Sequence, residues 1–98
     1  MKKLIALLLA ALVMTLSLSG LAAGRLEAIK AAGKLVVGTS PDYAPYEFLD
    51  TDGKPVGSDI TFAQFIADKL GVELVIESYN FDALLAAIAA GKVDLGLA

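Results

Sequence analysis

Two tyrosines, Tyr43 and Tyr46, and two carboxylates, Asp42 and Glu47, fall within the eleven residues Gly38 to Phe48, G-T-S-P-D-Y-A-P-Y-E-F. Thr39 and Ser40 add hydroxyls. Pro41 and Pro45 rule out a continuing helix or a central strand, so this stretch reads as a stiff, extended loop. A tyrosine held between two prolines can stack on a flat or cationic group at little entropic cost, for about 0.5–2 kcal/mol. Tyr43 is therefore the first candidate contact. Its bland alternative is packing on its own hairpin. Tyr46 begins the next extended piece and reads mainly as a brace over a sheet edge, with ligand contact in the pocket as its second reading. Ser40 can donate or accept a hydrogen bond, although turn hydroxyls often serve their own backbone. Asp42 and Glu47 are five apart on an irregular loop, and nothing local separates their pKa values as an acid/base pair requires. Both read as surface charges. Further along, Phe81 opens a helix beside the same region, where it serves either the core or a ligand. Ala98 can offer only backbone groups.

Other chemistries lack their residues. The chain contains no histidine and no cysteine. That removes the commonest general base and metal ligand, and any disulfide framework. There is no glycine-rich phosphate loop, G-K-[ST] or nucleophile elbow. The reading is therefore a non-enzymatic one, with no catalytic residue, no metal and no cofactor. The chain has 8 basic and 11 acidic residues, net −3. Leaving out Lys2 and Lys3 brings it to 6 against 11, net −5. An acidic surface of scattered charges does not suit nucleic acid.

The opening residues read as an export signal rather than as part of the fold. Met1-Lys2-Lys3 is basic, Leu4 to Leu18 is almost wholly apolar, and Ser19 to Ala23 is small-residue rich. The apolar run is shorter than the roughly 20 residues a bilayer span needs. Cleavage after Ala22 or Ala23 fits. Residues 1–23 are thus expected to be a signal peptide and 24–98 the first, truncated part of a binding domain. With no cysteine to carry a lipid, a periplasmic or secreted product follows. The chain stops within an apolar run, Val93 to Ala98, as the opening part of a longer protein would.

The elements that must position these residues alternate. Arg25 to Ala32 reads as a short lead-in helix capped by Gly33. Lys34 to Thr39 is an apolar, β-rich strand of the kind buried in parallel sheets. Glu47–Leu49 and Pro55–Val56 flank D-T-D-G-K, a hairpin signal. Asp59 to Leu70 carries an apolar stripe (Ile60, Ala63, Ile66, Ala67, Leu70), with Ser58 or Asp59 as cap and Gly71 as stop. Val72 to Ser78 is a second strand. Asn80 caps a helix from Phe81 to Ala90, with Leu84, Leu85, Ile88 and Ala89 expected inward, and Val93 to Ala98 is a third strand. The class is α/β, a β-α-β-α-β parallel sheet in spatial order 2-1-3. The sheet order reverses at its central first strand, and the loops leaving strands one and three bound the default ligand crevice.

These residues carry a resemblance. G-K-L-V-V-G-T-S-P-D-Y-A-P-Y-E-F (Gly33 to Phe48), D-G-K-P-V-G-S-D-I (Asp52 to Ile60) and F-D-A-L-L-A-A-I-A-A-G-K-V-D-L-G-L-A (Phe81 to Ala98) look like the N-terminal lobe of family 3 extracellular solute-binding proteins, the polar amino-acid receptors of ABC importers. The resemblance implies a two-lobed type II periplasmic binding protein fold that closes on an amino acid and delivers it to a membrane permease, as a monomer when full length. It implies ligand contact by Tyr43 as the stacking aromatic, by Phe81 as a second aromatic, by Ser40 where relatives often carry Asp, and by the backbone at Ala98. Serine at position 40 weakens the case for a basic ligand. Ser58 also departs, standing where an aromatic is usual. The arginine that clamps the ligand carboxylate would follow Ala98, so weak binding or none by these residues alone is expected. Relatives of this kind also include cyclohexadienyl dehydratases and sensor domains of larger membrane proteins, which make the alternative functions.

Overall fold

The structure is a computed structural model. It describes the backbone of residues 1–98 and the side chains of residues 1–10 and 24–98. Helix α1 spans Lys2–Ala32, so the lead-in helix is the C-terminal part of a longer one. The cleavage positions Ala22 and Ala23 lie outside the residues whose side chains are described. Among the described residues, no helix is long and apolar enough to cross a membrane. Gly33 ends α1 in the left-handed conformation, its N–H returning to the carbonyls of Ile29 and Lys30, which satisfies carbonyls a helix end leaves open.

The main sheet holds β1 (Lys34–Thr39), β5 (Glu73–Ser78) and β6 (Leu95–Leu97), all parallel, in the order β5-β1-β6. This is the expected 2-1-3 order. Crossovers containing α2 (Ser58–Leu70) and α3 (Phe81–Ala89) join its parallel strands, as parallel pairing requires. The second and third strands are shorter than expected. Asp94 is diverted: its N–H donates to the Val36 carbonyl and its Oδ2 accepts from the Val36 N–H. Its Oδ1 meets Arg25 at 3.1 Å, tying α1 to the sheet.

Alternation along β1 divides the core. Leu35 and Val37 point to one side with Ile29 and α2 residues Ala63 and Ala67, all buried. Small alanines let α2 lie close to the sheet, while Ile66 and Leu70 fill its margins. Gly38 points to the other side. A Cβ there would come within 2.7 Å of Leu84 Cδ1 and 3.2 Å of Val93, so the absent side chain is what lets α3 approach. Leu84 is 2% exposed, worth about 1.5–3 kcal/mol of burial. The inward face of α3 consists of Leu84 and Ala87. Leu85 and Ala89, expected inward, are exposed, because Leu84 and Ala87 occupy the stripe facing the sheet; Ile88 stays 44% exposed but packs its side chain on Gly96 of β6.

A second, antiparallel sheet stands beside the first in the order β2 (Asp42–Tyr43), β3 (Glu47–Leu49), β4 (Pro55–Val56). The expected β3–β4 hairpin is present. Asp50 Oδ1 accepts from the N–H groups of Asp52 and Lys54, and Gly53 takes φ 78°, the local bonding that favours Asp in turns. The loop at Pro41 to Pro45 is not wholly irregular: Asp42 and Tyr43 pair with Phe48 and Glu47. Nor do Ser58 or Asp59 cap α2 with their side chains. The cap residue is Gly57 at φ 125°. The Ser58 and Asp59 N–H groups go instead to the carbonyls of Pro45 and Tyr46, so backbone from the small sheet satisfies the helix start.

Candidate functional site

The parallel register aligns three chain exits on one edge. Thr39 pairs with both Ser78 and Leu97. The residues that follow, Ser40, Tyr79 and Ala98, therefore leave the sheet together, and the Tyr79 N–H bonds the Thr39 carbonyl at 2.9 Å. Asn80 then accepts from the Ala83 N–H through its side chain and caps α3. That cap fixes Phe81 at the first turn, above the strand ends.

A cavity of about 320 Å³ opens at this edge, lined by Ser40, Asp42, Tyr43, Glu47, Phe81 and Ala98. The structure thus brings four of the candidates, Ser40, Tyr43, Phe81 and Ala98, to one wall. Tyr46 does not line it. Its ring stacks behind Tyr43, centroids 5.4 Å apart and planes 18° from parallel. The stack holds the Tyr43 ring while leaving it 63% exposed. Phe81 is likewise exposed. Ser40 is buried beneath them.

Glu47 overturns its reading as a surface charge. It is 2% exposed and belongs to the cavity wall. The reason is topological: β2 makes β3 the central strand of the small sheet, and Glu47 lies opposite Tyr43. Burial first, then the side chain of Asp59 and the charge of Asp42, push its pKa from 4.5 up to about 7. Thr39 Oγ1 and Glu47 Oε2 are buried without a hydrogen-bond partner among the described residues; of these two residues only Glu47 lines the cavity. Asp42 keeps the exposure expected of it but also faces the cavity. No local signal marks Glu47, since Asp59 lies on another element.

Chemically, the site offers aromatic faces, strand-end polar groups and two carboxyls. Among the described residues, no group of three or more acidic, histidine or cysteine side chains could hold a metal.

Residues 35–98 match the model of the bacterial extracellular solute-binding proteins, family 3. The chain belongs to this family. It is 35% identical over 97 residues to the arginine-binding extracellular protein ArtP of Bacillus subtilis, covering 99% of this chain and 37% of that one. An amino-acid ABC transporter substrate-binding protein from Streptococcus pneumoniae, bound to L-arginine, superposes with TM-score 0.69 at 54% identity, over 74% of this chain and 32% of that one. An ancestral cyclohexadienyl dehydratase superposes with TM-score 0.68 at 36% identity, over 70% and 29%. The family 3 chain described here thus spans well under half the length of the curated relatives it matches, 24% and 27% of two others. Its β5-β1-β6 sheet with flanking helices is part of the lobe these proteins share.

Proposed function

We propose that the protein is the extracytoplasmic receptor of an ABC importer, capturing a polar amino acid and passing it to a membrane permease. The observation that carries this reading is the cavity at the parallel strand ends, where Tyr43 stands braced over Ser40, Phe81 and Ala98. A rigid aromatic beside polar strand-end groups suits a small zwitterion, whose flat or charged side chain stacks while its main-chain groups find hydrogen bonds. Tyr43, Phe81, Ser40 and the backbone at Ala98 are the ligand contacts, and Tyr46 acts by holding Tyr43. Membership of a solute-binding family and the amino-acid-binding relatives support the assignment. Closure of two lobes on the ligand would be what the permease reads. Residues 1–23 are an export signal that leaves residues 24–98 outside the cytoplasm, as the family's extracellular character suggests. The receptor works as a monomer.

A calorimetric and thermal-shift screen of the full-length protein against the amino acids tests this. A saturable ligand whose affinity falls about 2–30-fold in Tyr43→Ala is expected, the range that the loss of one stacking contact gives. The absence of any amino-acid ligand refutes the reading. One observation favours the alternative of an enzyme on the same fold. Glu47, with its pKa near 7 at the cavity wall, has the value of a general acid at neutral pH. Conversion of a bound ligand, seen by mass spectrometry, would establish that alternative.

A further inference from the structure

Neither tyrosine ring at the cavity is held by the core. Tyr43 is 63% exposed and Tyr46 48%, and β2 is only two residues long, too short a pairing to fix a loop by itself. The first turn of α2 supplies the missing restraint. The Ser58 N–H donates to the Pro45 carbonyl at 3.2 Å, and the Asp59 N–H donates to the Tyr46 carbonyl at 2.9 Å. These are amides that a helix start leaves without intrahelical partners. The Tyr46 N–H donates in turn to the Tyr43 carbonyl at 3.0 Å, so the stacked pair sits on a turn that is bonded to α2. Gly57 makes this approach possible. It holds φ 125° and ψ −179°, a region open essentially to glycine alone. A Cβ on it would lie 2.3 Å from the Tyr46 oxygen and 2.8 Å from that of Pro45.

We propose that Gly57 is a positioning residue for the ligand: by letting the first turn of α2 close on the Pro45 and Tyr46 carbonyls, it sets the ring pair on which the ligand stacks, and filling the cavity tightens that turn in return. The inference rests on the amino-acid-binding reading and adds to it Gly57 and Ser58, which do not line the cavity. Its second half follows from reciprocity. If the α2 bonds raise the affinity for a ligand by holding Tyr43 ready, the ligand strengthens those bonds by the same factor. For one backbone hydrogen bond that factor is about 2–10. The effect belongs to the start of α2. At the other end of the helix the Val72 N–H closes on the Ala67 carbonyl at 3.0 Å, and ligand leaves that bond unchanged.

The test is amide hydrogen exchange and calorimetry on the full-length protein, with the common amino acids added singly. With one that binds, the Ser58 and Asp59 amides should exchange about 2–10-fold more slowly, while Val72 does not change. Ser58→Pro separates positioning from stability. Ser58 is exposed, and proline suits the first position of a helix, yet it removes the N–H that the Pro45 carbonyl accepts. Its unfolding midpoint should stay close to wild type while affinity falls about 2–10-fold. Gly57→Ala, measured well below its melting temperature, should lose about tenfold or more, since both bonds are displaced. A merely structural first turn would lower the stability of Gly57→Ala and leave affinity unchanged in both variants. If a variant fails to fold, exchange in the wild type decides. If an amino acid binds Ser58→Pro as tightly as wild type, or binds without slowing exchange at Ser58 and Asp59, this inference is wrong and the receptor reading stands. If no amino acid binds, both fall.

Discussion

Glu47→Gln should make the protein more stable above neutral pH and flatten its response to pH. The buried carboxyl is raised from 4.5 to about 7. Between those values the folded protein holds a proton that the unfolded chain has released, so stability falls as pH rises. The stability tied to this group is fully present below about pH 4.5 and is lost as pH climbs through 7. At about 1.4 kcal/mol per unit, the 2.5-unit shift corresponds to roughly 3 kcal/mol. That is a large share of the 5–15 kcal/mol typical of a domain. Glutamine keeps the shape and cannot ionise. The variant should match the wild type near pH 5 and exceed it by up to about 3 kcal/mol near pH 8. Urea or guanidinium unfolding across this range, compared at equal slope, measures the difference. A wild-type stability that is level or rising from pH 5 to pH 8, or a variant that is weaker at pH 8, would show that Glu47 is ionised and well partnered, and would refute the reasoning.

Three further outcomes follow from the packing. Gly57→Ala should destabilise by about 3 kcal/mol or more, because its Cβ would lie 2.3 Å from the Tyr46 carbonyl oxygen at φ 125°, combining backbone strain with overpacking; a melting temperature within a few degrees of wild type would contradict this. Leu84→Ala should cost about 2–5 kcal/mol by leaving a cavity between α3 and the sheet, read by the same denaturation, with no change in unfolding slope. Asp94→Ala strips the Val36 N–H of its acceptor and Arg25 of its partner. A loss of about 1–3 kcal/mol is expected, nearly all from the half-buried hydrogen bond, since Arg25 is exposed and its pair is worth little in water. Weak dependence on salt would confirm that division.

Much of the architecture was written in local patterns. The apolar run Lys34 to Thr39 and the expected bounds of β3 and β4 coincide with the observed strands. Asn80 caps α3 as its position implied, and Gly33 and Gly71 close their helices in the left-handed conformation. Each of these depends on a residue's own backbone preference or on neighbours a few positions away. The errors have a common cause in longer-range contacts. Gly57 rather than Ser58 or Asp59 begins α2 because the Pro45 and Tyr46 carbonyls reach its N–H groups from another sheet. Leu85 is as apolar as Leu84, and only the position of the sheet decides which of the two is covered.

For the candidate site the same line holds. Ser40, Tyr43, Phe81 and Ala98 could be placed on one edge from sequence, because alternation of strand and helix forces parallel pairing, and parallel pairing brings strand exits together. Tyr43 also kept its alternative: it does pack on its own hairpin, and that stack is what presents it to the cavity. Glu47 could not be placed. Its burial depends on β2 closing over β3, and its proton affinity on an Asp59 carboxyl brought in by α2. The amino-acid order by itself determined the three strands of the main sheet, the two helices between them, their parallel order and the strand-end edge that the cavity occupies, since these follow from periodicity and the alternation of strand and helix. Only the tertiary structure decided that one glutamate in that stretch lies in the wall rather than on the surface, since desolvation is a property of everything packed around a group and of nothing in its own local sequence.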